Sequence, residues 1–432
     1  MKLYSTNNTN LSVSFKEAVF NSFPQDKGLY MPIEIPRLPQ KFIDRLPDLS
    51  FQEIALEAAH ALIGEDIPKE DLQKIINDAV NFTAPVVLLS EHLAVLELFH
   101  GPSLAFKDFG ARFMSRVMAY LSGKNEKTLD ILVATSGDTG GAVALGFLGV
   151  KATQVTILFP KGKVSKIQRQ QLTTNGQNIR TIEVDGTFDD CQALVKQAFN
   201  DRELNQKFRL TSANSINISR LIPQTFYYFN AYAQAVRAGK KNVVFCVPSG
   251  NFGNIGAGLL AYKMGLPVKH FIAATNSNDT VPQYLKTGEY RPKPSVQTLS
   301  NAMDVGDPSN WVRILNLFGN DIEELRKIIT PYSFTDEETL KGIEELYGKY
   351  GYIACPHTAV AYLAAKEYGR HAEDFTVFLS TAHACKFLDV YPQDLREKIV
   401  IPEQVKNLEG KESFAFSLKN DFEDFKEFLL KS

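Results

Sequence analysis

The sequence predicts an α/β fold with a parallel sheet, because strand-like and helix-like stretches alternate along most of the chain. Short apolar runs typical of buried strands are separated by patterns typical of helices, as at 188–199, 218–236 and 337–347. Strands separated by helices of that length are typical of βαβ units, whose strands lie parallel in one sheet. Strands are expected at 86–89, 94–99, 130–134, 154–159, 179–184, 243–247, 271–274 and 376–379.

Two regions depart from this alternation. Residues 1–85 carry helical signals, such as the apolar spacing through 51–56, but few convincing strands. We therefore expect a mainly helical N-terminal domain at 1–85 and a core at 86–432. The stretch 292–336 is less regular and is predicted to be an insertion.

Composition excludes several classes of protein. The 432 residues include 47 Lys and Arg against 49 Asp and Glu, and a net charge of -2 gives no electrostatic basis for nucleic acid or an anionic membrane as the main partner. The four cysteines are far apart, residues 1–14 lack a signal-peptide pattern, and no apolar run reaches the roughly 18 residues of a membrane helix. We expect a reduced, cytoplasmic protein.

Lys107 lies in an apolar segment, 99–110, that leads into a helical pattern at 111–121. Burial and the positive end of a helix both disfavour an ammonium ion, so they lower the pKa of a lysine and free its amine as a nucleophile. Such an amine is what a Schiff-base lysine requires. The alternative is a lysine whose ammonium group reaches solvent along its own apolar stem, as most single lysines do.

Two segments of small residues lie where a strand should give way to a helix. The first, 134–141, reads Ala-Thr-Ser-Gly-Asp-Thr-Gly-Gly, and the second, 247–258, contains four glycines. A helix start presents unpaired N–H groups and a partial positive charge, and glycine lets an anion approach the backbone closely, so both segments are candidate anion sites. Ordinary N-capping in the first segment and close helix packing in the second remain alternative explanations.

Other ligand classes are disfavoured by the motifs. The segment 247–258 contains neither Gly-Lys-Ser/Thr nor G-x-G-x-x-G, so neither a nucleoside triphosphate nor a dinucleotide is supported. Gly101-x-Ser103 lacks the closing glycine of a serine-hydrolase elbow, because residue 105 is alanine. No H-E-x-x-H occurs, and we expect no metal site.

Taken together, these segments resemble the threonine synthase family of pyridoxal-phosphate enzymes. The string at 100–110, His-Gly-Pro-Ser-Leu-Ala-Phe-Lys-Asp-Phe-Gly, is similar to that family's cofactor-lysine signature. The resemblance continues through 135–141, 214–220, 248–254 and 380–383, and in the N-terminal domain of the longer branch of the family through 1–6 and 28–32. One departure is Ala384-Cys385, where the family is associated with Pro-Ala. The resemblance implies a tryptophan-synthase-β-like fold (fold type II of pyridoxal-phosphate enzymes), in which two catalytic α/β subdomains enclose the cofactor cleft.

The resemblance also implies roles at the cofactor. Lys107 would form a Schiff base with pyridoxal 5'-phosphate, Asp138 would lie near the phenolic oxygen of the ring, and Thr381 would hydrogen-bond the ring nitrogen. The neutral Thr381 hydroxyl would moderate the ring as an electron sink, since it cannot keep a proton on that nitrogen as a carboxylate would. The cofactor phosphate would be bound by Gly250, Asn251, Phe252, Gly253 and Asn254.

The implied substrate is O-phospho-L-homoserine, which would react with water to give L-threonine and phosphate. Ser136 and Thr139 would receive the substrate carboxylate or phosphate. A phosphate clamp would be formed by Ser215, Asn217 and Arg220, in which the guanidinium group suits bidentate contact. The protein is expected to be a monomer or a homodimer.

Three alternatives to this reaction remain open at this stage. A phospho-lyase would eliminate phosphate in the same way but release 2-oxobutyrate and ammonia. A dehydratase acting on serine or threonine would have no substrate phosphate for Arg220 to bind. A non-catalytic α/β ligand-binding protein would leave Lys107 and the intact loop 250–254 unexplained.

Overall fold

The computed structural model describes residues 1–123, 127–368 and 373–431. Within these ranges the chain forms a three-stranded antiparallel sheet and two larger sheets. The strands are β1 (Lys2–Ser5), β2 (Asn8–Ser14), β3 (Tyr30–Pro32), β4 (Val86–Leu88), β5 (Leu93–Glu97), β6 (Leu129–Ala134), β7 (Thr153–Pro160), β8 (Ile179–Asp185), β9 (Arg209–Ser212), β10 (Val243–Pro248), β11 (His270–Thr275), β12 (Ile329–Ser333), β13 (Phe375–Ser380) and β14 (Phe416–Lys419).

Helices cover the sheets and join their strands. The helices are α1 (Phe15–Asn21), α2 (Gln40–Arg45), α3 (Phe51–Ile63), α4 (Lys69–Ala79), α5 (Lys107–Leu121), α6 (Asp138–Phe147), α7 (Lys166–Thr173), α8 (Phe188–Asn200), α9 (Arg202–Lys207), α10 (Ile218–Leu221), α11 (Gln224–Arg237), α12 (Gly253–Lys263), α13 (Thr280–Thr287), α14 (Trp311–Leu317), α15 (Ile322–Ile328), α16 (Asp336–Tyr350), α17 (Pro356–Tyr368), α18 (Gln393–Arg396), α19 (Glu403–Lys406) and α20 (Phe422–Lys431). Short 3₁₀ helices lie at Leu46–Asp48, Asn301–Met303 and Ala384–Val390.

The six-stranded sheet has the order β12-β11-β10-β13-β5-β4. All neighbouring strands are parallel except β4 and β5, which are antiparallel. Every residue of the central strands β10 and β13 is buried. These strands therefore read as continuous apolar runs, as expected where helices cover both faces of a parallel sheet.

The five-stranded sheet is entirely parallel and has the order β14-β8-β7-β6-β9. Four of its strands lie in sequence between β5 and β10, and β14 returns to it from the C-terminal region. The predicted α/β fold with two catalytic subdomains is therefore confirmed. Ligands of open α/β sheets bind beyond the carboxyl ends of the strands, and β6, β9, β10 and β13 all end beside one cleft.

The N-terminal region is helical from α1 to α4 but also contains the β1–β3 sheet. The expected mainly helical character is therefore confirmed, but the small sheet was missed. Its strand β2 is largely exposed, and its sequence, Asn-Thr-Asn-Leu-Ser-Val-Ser, is mostly polar. Ser14 and Ser50 begin α1 and α3 with capping boxes, in which each serine pairs with a glutamate three residues later. The boundary at residue 85 stays a prediction.

The expected strands all occur, but β9, β12 and β14 of the two large sheets were missed, as were β1, β2 and β3. The expected helix at 218–236 is divided into α10 and α11, because Pro223 has no N–H to continue the helical ladder. The stretch 292–336 is less irregular than expected, since it contains α14, α15 and the edge strand β12. Across the described residues, none of the helices combines the length and apolar character that crossing a bilayer requires.

Candidate active site

A cavity lies between the carboxyl ends of the two large sheets, and all but one of the residues predicted for the site line it. The exception is Asn217. The structure brings together Lys107, Ser136, Asp138, Thr139, Ser215, Arg220, Gly250, Asn251, Phe252, Gly253, Asn254 and Thr381.

Lys107 is the first residue of α5 and lies in the cavity wall. Burial lowers its pKa to about 8; Asp138 opposes this shift, whereas the cations of Lys386 and Arg220 add to it. The backbone N–H of Phe106 donates to the carbonyl of Thr381 at 2.9 Å, which fixes the start of α5 against the end of β13. A substantial fraction of the Lys107 amine is therefore neutral near pH 8, as a nucleophilic lysine requires.

Asp138 begins α6 and is a charged carboxylate. Its Oδ1 accepts from the Gln168 side-chain amide at 2.9 Å and lies 2.6 Å from the ammonium of Lys386. Gln168 is oriented by the capping box of α7, in which its Oε1 accepts from the N–H of Ser165, so its NH₂ group is left for Asp138. Burial raises the pKa of Asp138, but Lys386 and Lys107 outweigh burial and hold that pKa well below its ordinary value.

His357 is a neutral residue of the same wall. Its Nε2 accepts from the backbone N–H of Ala302 at 3.1 Å, and burial lowers its pKa to about 4. The ring therefore supports the 3₁₀ segment Asn301–Met303, whose residues Ala302 and Met303 line the cavity. Among the described residues, no group of His, Cys, Asp and Glu side chains could hold a metal ion.

The start of α12 forms the opposite wall. Phe252 adopts a left-handed conformation (φ 56°) that turns the chain into the helix at Gly253. The Asn254 side chain is held through Oδ1, which accepts from the hydroxyls of Tyr227 at 2.7 Å and Tyr228 at 2.8 Å. Its buried Nδ2 has no partner, so a donor is available in a wall that also carries helix N-terminal N–H groups.

Unlike the side chain of Asn254, the side chain of Asn251 has no unpartnered amide nitrogen. Its Nδ2 donates to Ser215 Oγ at 2.7 Å, and its Oδ1 accepts from the N–H of Ser309. The side chain therefore joins the loops at either side of the cavity, and the backbone of Asn251 is the part left for a ligand.

Arg220 places a buried guanidinium group at the cavity. Its Nη1 donates to the carbonyl of Ala213, and its buried Nε has no partner. Burial lowers its pKa to about 10, so the group stays cationic near neutral pH. A partly unsatisfied, desolvated guanidinium is suited to an anionic ligand such as a phosphate.

Asn217 is not part of this surface. Its Nδ2 donates to the carbonyl of Val19 and to Ser22 Oγ, while its Oδ1 accepts from Ser219. The side chain caps α10 and ties it to the N-terminal region, so its carboxamide has no group left for a phosphate. The proposed clamp is therefore reduced to Ser215 and Arg220.

In the segment 134–141, only some of the backbone N–H groups remain free for an anion. The Thr135 hydroxyl accepts from the N–H groups of Gly137 and Gly140, which are therefore already satisfied. Gly137 has φ 134°, and a Cβ atom there would lie 2.5 Å from the Gln168 side chain. Glycine is required at this position both by backbone conformation and by close approach.

Several residues of the site were missed by sequence reasoning. Lys386 and Gln168 touch Asp138, and Arg313 donates to the carbonyls of Ser215 and Ile216. None lies in a small-residue segment. The only signal was the position of Lys386 three residues after the resemblance at 380–383.

Family models match most of the chain. A model described as "Pyridoxal-phosphate dependent enzyme" matches residues 88–381, "Threonine synthase N terminus" matches 2–80, and "Threonine synthase, C-terminal" matches 358–429. The chain is 43% identical over 430 residues to threonine synthase of Escherichia coli (strain K12), covering 100% of this chain and 99% of that protein. It is 45% identical over 435 residues to threonine synthase of Haemophilus influenzae, covering 100% of both.

Solved structures agree with these matches. The crystal structure of threonine synthase from Escherichia coli covers 100% of both chains with a TM-score of 0.93 at 43% identity. That of pyridoxal-phosphate-bound threonine synthase from Brucella melitensis covers 99% of this chain and 98% of that chain with a TM-score of 0.91 at 34% identity. The resemblance inferred from the motifs is confirmed: the chain belongs to the threonine synthase family of pyridoxal-phosphate-dependent enzymes.

Proposed function

We propose that this chain converts O-phospho-L-homoserine and water into L-threonine and phosphate. The observation that carries the proposal is that Lys107 and Arg220 line one buried cavity, with an unsatisfied nitrogen on the guanidinium group. A nucleophilic amine and a phosphate-binding cation in the same cavity suit a phosphorylated amino-acid substrate.

The residues present fit pyridoxal phosphate. The unpartnered Nδ2 of Asn254 and the N–H groups of the Gly250–Asn254 loop offer donors for its phosphate, and the amine of Lys107 is available for a covalent bond to its aldehyde. The Thr381 hydroxyl, at the end of β13, would face the ring nitrogen. When bound, the cofactor supplies an electron sink for negative charge that develops on the substrate.

The chain's own groups would then position the substrate and move its protons. Ser215 and Arg220 would bind the substrate phosphate, and Ser136 and Thr139 would bind its carboxylate. The released amine of Lys107 would take the proton from the α carbon and transfer protons along the substrate. Departure of the γ-phosphate and addition of water at the β carbon would complete the conversion, in a cavity closed to bulk water until that step.

Composition supports finer proposals about the protein's setting, because the four widely spaced cysteines suit a reducing compartment and the near-neutral charge gives no basis for binding nucleic acid. We propose that it acts in the cytoplasm as a monomer or homodimer, without a nucleic-acid partner. Size-exclusion chromatography with light scattering would measure the oligomeric state, and electrophoretic mobility shift would reveal any nucleic-acid complex.

Product analysis tests the reaction directly. The cofactor-loaded protein is incubated with O-phospho-L-homoserine, and threonine, phosphate and 2-oxobutyrate are quantified together. Threonine formed in step with phosphate supports the proposal. Phosphate with 2-oxobutyrate and no threonine would make the protein a phospho-lyase, and no release of phosphate would refute the substrate.

A further inference from the structure

Lys386 is a fully buried lysine beside the cavity that the proposed reaction does not use. Its ammonium lies 2.6 Å from Asp138 Oδ1 and donates to the carbonyl of Ser103 at 2.9 Å, and its side chain has 0% exposure. Lys386 is not among the residues that line the cavity. Lys386 can therefore influence a ligand only indirectly, through the residues that it contacts and through its charge.

We propose that Lys386 is a positioning residue: it keeps the Asp138 carboxylate charged, oriented and electrically balanced, so that Asp138 does not trap Lys107 as its own ammonium partner. The proposal rests on the proposed function only in taking Lys107 as the cofactor lysine. It assigns Lys386 no contact with substrate or cofactor.

The orientation of Asp138 follows from its two donors. Gln168 Nε2, at 2.9 Å, and Lys386 Nζ both contact Oδ1, so Oδ2 is the oxygen left for the cavity. Gln168 cannot exchange its amide atoms freely, because its Oε1 accepts from the N–H of Ser165. A charge-assisted bond and a bond from an oriented amide, both to Oδ1, therefore restrict the orientation of the carboxylate.

The charges around Asp138 decide the state of Lys107. The groups that act on Asp138 are Lys386, Lys107 and His357, and those that act on Lys107 are Asp138, Lys386, Arg220 and Cys355. The neutral His357 and the protonated thiol of Cys355, whose pKa is raised by burial, bring no compensating charge. Without Lys386, the nearest cation available to the buried Asp138 carboxylate would be Lys107. Pairing would then keep Lys107 protonated and unreactive.

Lys386 also supports the loop that leads to Lys107. The Ser103 carbonyl accepts from both Lys386 and Gln171, and the Ser103 N–H donates to Asp108 Oδ2 at 2.9 Å. These bonds link the 3₁₀ segment Ala384–Val390, α7 and the start of α5. The same lysine thus contacts the carboxylate and the loop that flank the reactive amine.

Competitive acetylation of the folded, full-length chain after removal of the cofactor tests the proposal. Labelled acetic anhydride is the probe, and peptide mass spectrometry gives the reactivity of Lys107 at each pH. Lys386→Met should reduce Lys107 labelling at pH 7 about tenfold, since a rise of one pKa unit lowers the neutral fraction of an amine by about that factor. Asp138→Asn should increase Lys107 labelling, because it removes the attraction for the ammonium.

Lys269→Met is the matched control, because Lys269 also pairs with a buried aspartate, Asp374, outside the cavity lining. It should leave Lys107 labelling unchanged. In the Asp138→Asn background, Lys386→Met should have little further effect, because no carboxylate is then left for Lys386 to balance. Unchanged Lys107 labelling in Lys386→Met, or an equal loss in both backgrounds, would overturn the proposal.

Loss of folding in Lys386→Met would still decide the question. If the variant is unstable because the buried Asp138 carboxylate is left unbalanced, adding Asp138→Asn should restore the thermal midpoint of unfolding. If the midpoint does not recover, the loss is steric and the proposed pairing is refuted. Neither measurement requires turnover. A negative acetylation result would therefore refute the role of Lys386 without affecting the proposed reaction. Failure to form threonine would refute the proposed reaction without affecting the role of Lys386.

Discussion

A Cβ atom on Gly110 would lie 2.6 Å from Nε of Arg220, so the buried guanidinium group passes directly over a glycine of α5. Arg220 has little room to move away, because it is buried and its Nη1 donates to the carbonyl of Ala213. The helix that begins with Lys107 therefore also determines where the Arg220 guanidinium group lies.

We expect Gly110→Ala to displace Arg220 and weaken binding of the phosphorylated substrate. KM should rise roughly tenfold or more, because a hydrogen bond to a charged group contributes about 1.5–3 kcal/mol. Steady-state kinetics measure the change, and the visible absorbance of the bound cofactor should persist. Gly348→Ala is the control, since Gly348 lies in α16 with open space around it. An unchanged KM in Gly110→Ala would contradict the steric relationship.

The Tyr227→Phe change should weaken cofactor retention. It removes the 2.7 Å bond to Asn254 Oδ1, so the orientation of the Asn254 amide, whose Nδ2 is unpartnered, is less firmly fixed. A hydrogen bond of this kind contributes about 0.5–1.5 kcal/mol. Its loss should therefore raise the dissociation constant for pyridoxal phosphate about two- to tenfold. Fluorescence titration measures that constant.

Tyr362→Phe is a matched control for this prediction. The Tyr362 hydroxyl donates to Glu345 at 2.9 Å, and neither residue lines the cavity. Its loss should affect thermal stability but not cofactor affinity. Equal cofactor affinity in Tyr227→Phe and the unmodified chain would refute the orienting role of the tyrosine.

Cofactor uptake should depend on pH through Lys107. Burial lowers the pKa of this lysine to about 8, and only the neutral amine attacks an aldehyde. The rate of uptake should therefore rise about tenfold per pH unit well below 8 and level off above about pH 9. Stopped-flow absorbance measures the rate. A rate that continues to rise toward pH 10.5 would indicate a lysine with an ordinary pKa.

Replacing Arg313 by lysine should destabilise the protein although the charge is retained. Arg313 donates to the backbone carbonyls of Tyr30, Ser215 and Ile216, which lie in different directions around its planar group. An ammonium cannot reach all three. The contact with Tyr30 is buried and the other two are partly buried, and a buried carbonyl left unsatisfied costs about 1–3 kcal/mol. The free energy of unfolding should fall by about 2–5 kcal/mol, as measured by urea denaturation.

Arg237→Lys provides the comparison for this substitution. Arg237 also donates to backbone carbonyls, those of Pro47 and Leu49, but these contacts are exposed to solvent. Its replacement should change stability by no more than about 0.5 kcal/mol. A similar loss in both variants would show that burial of the Arg313 contacts does not matter.

The parts of the site that could be predicted from sequence are those whose neighbours are close along the chain. Lys107 precedes a helical pattern within one segment, and the Gly250–Asn254 loop directly follows a buried strand. Lys386 could not be assigned in this way, because its partner Asp138 follows β6 of the five-stranded sheet, whereas Lys386 follows β13 of the six-stranded sheet. Its role also depends on the burial of both charges.

The assignment of Asn217 to the phosphate clamp came from the resemblance at 214–220, and the geometry does not support it. It lies between Ser215 and Arg220, which line the cavity, but its own side chain turns to Val19 and Ser22. The direction of one side chain in a short turn depends on the region packed behind it. The N-terminal contact that determines this direction has no signature in the segment 214–220.

The return of β14 to the five-stranded sheet has a consequence for biosynthesis of the protein. The Thr181 hydroxyl donates to the carbonyl of Phe414, 233 residues later, and β14 then pairs along β8. During translation, β8 therefore emerges from the ribosome long before its outer neighbour and presents an open strand edge, a feature prone to intermolecular pairing. The half of the catalytic cleft that carries Asp138 cannot finish folding until residues 416–419 have been made.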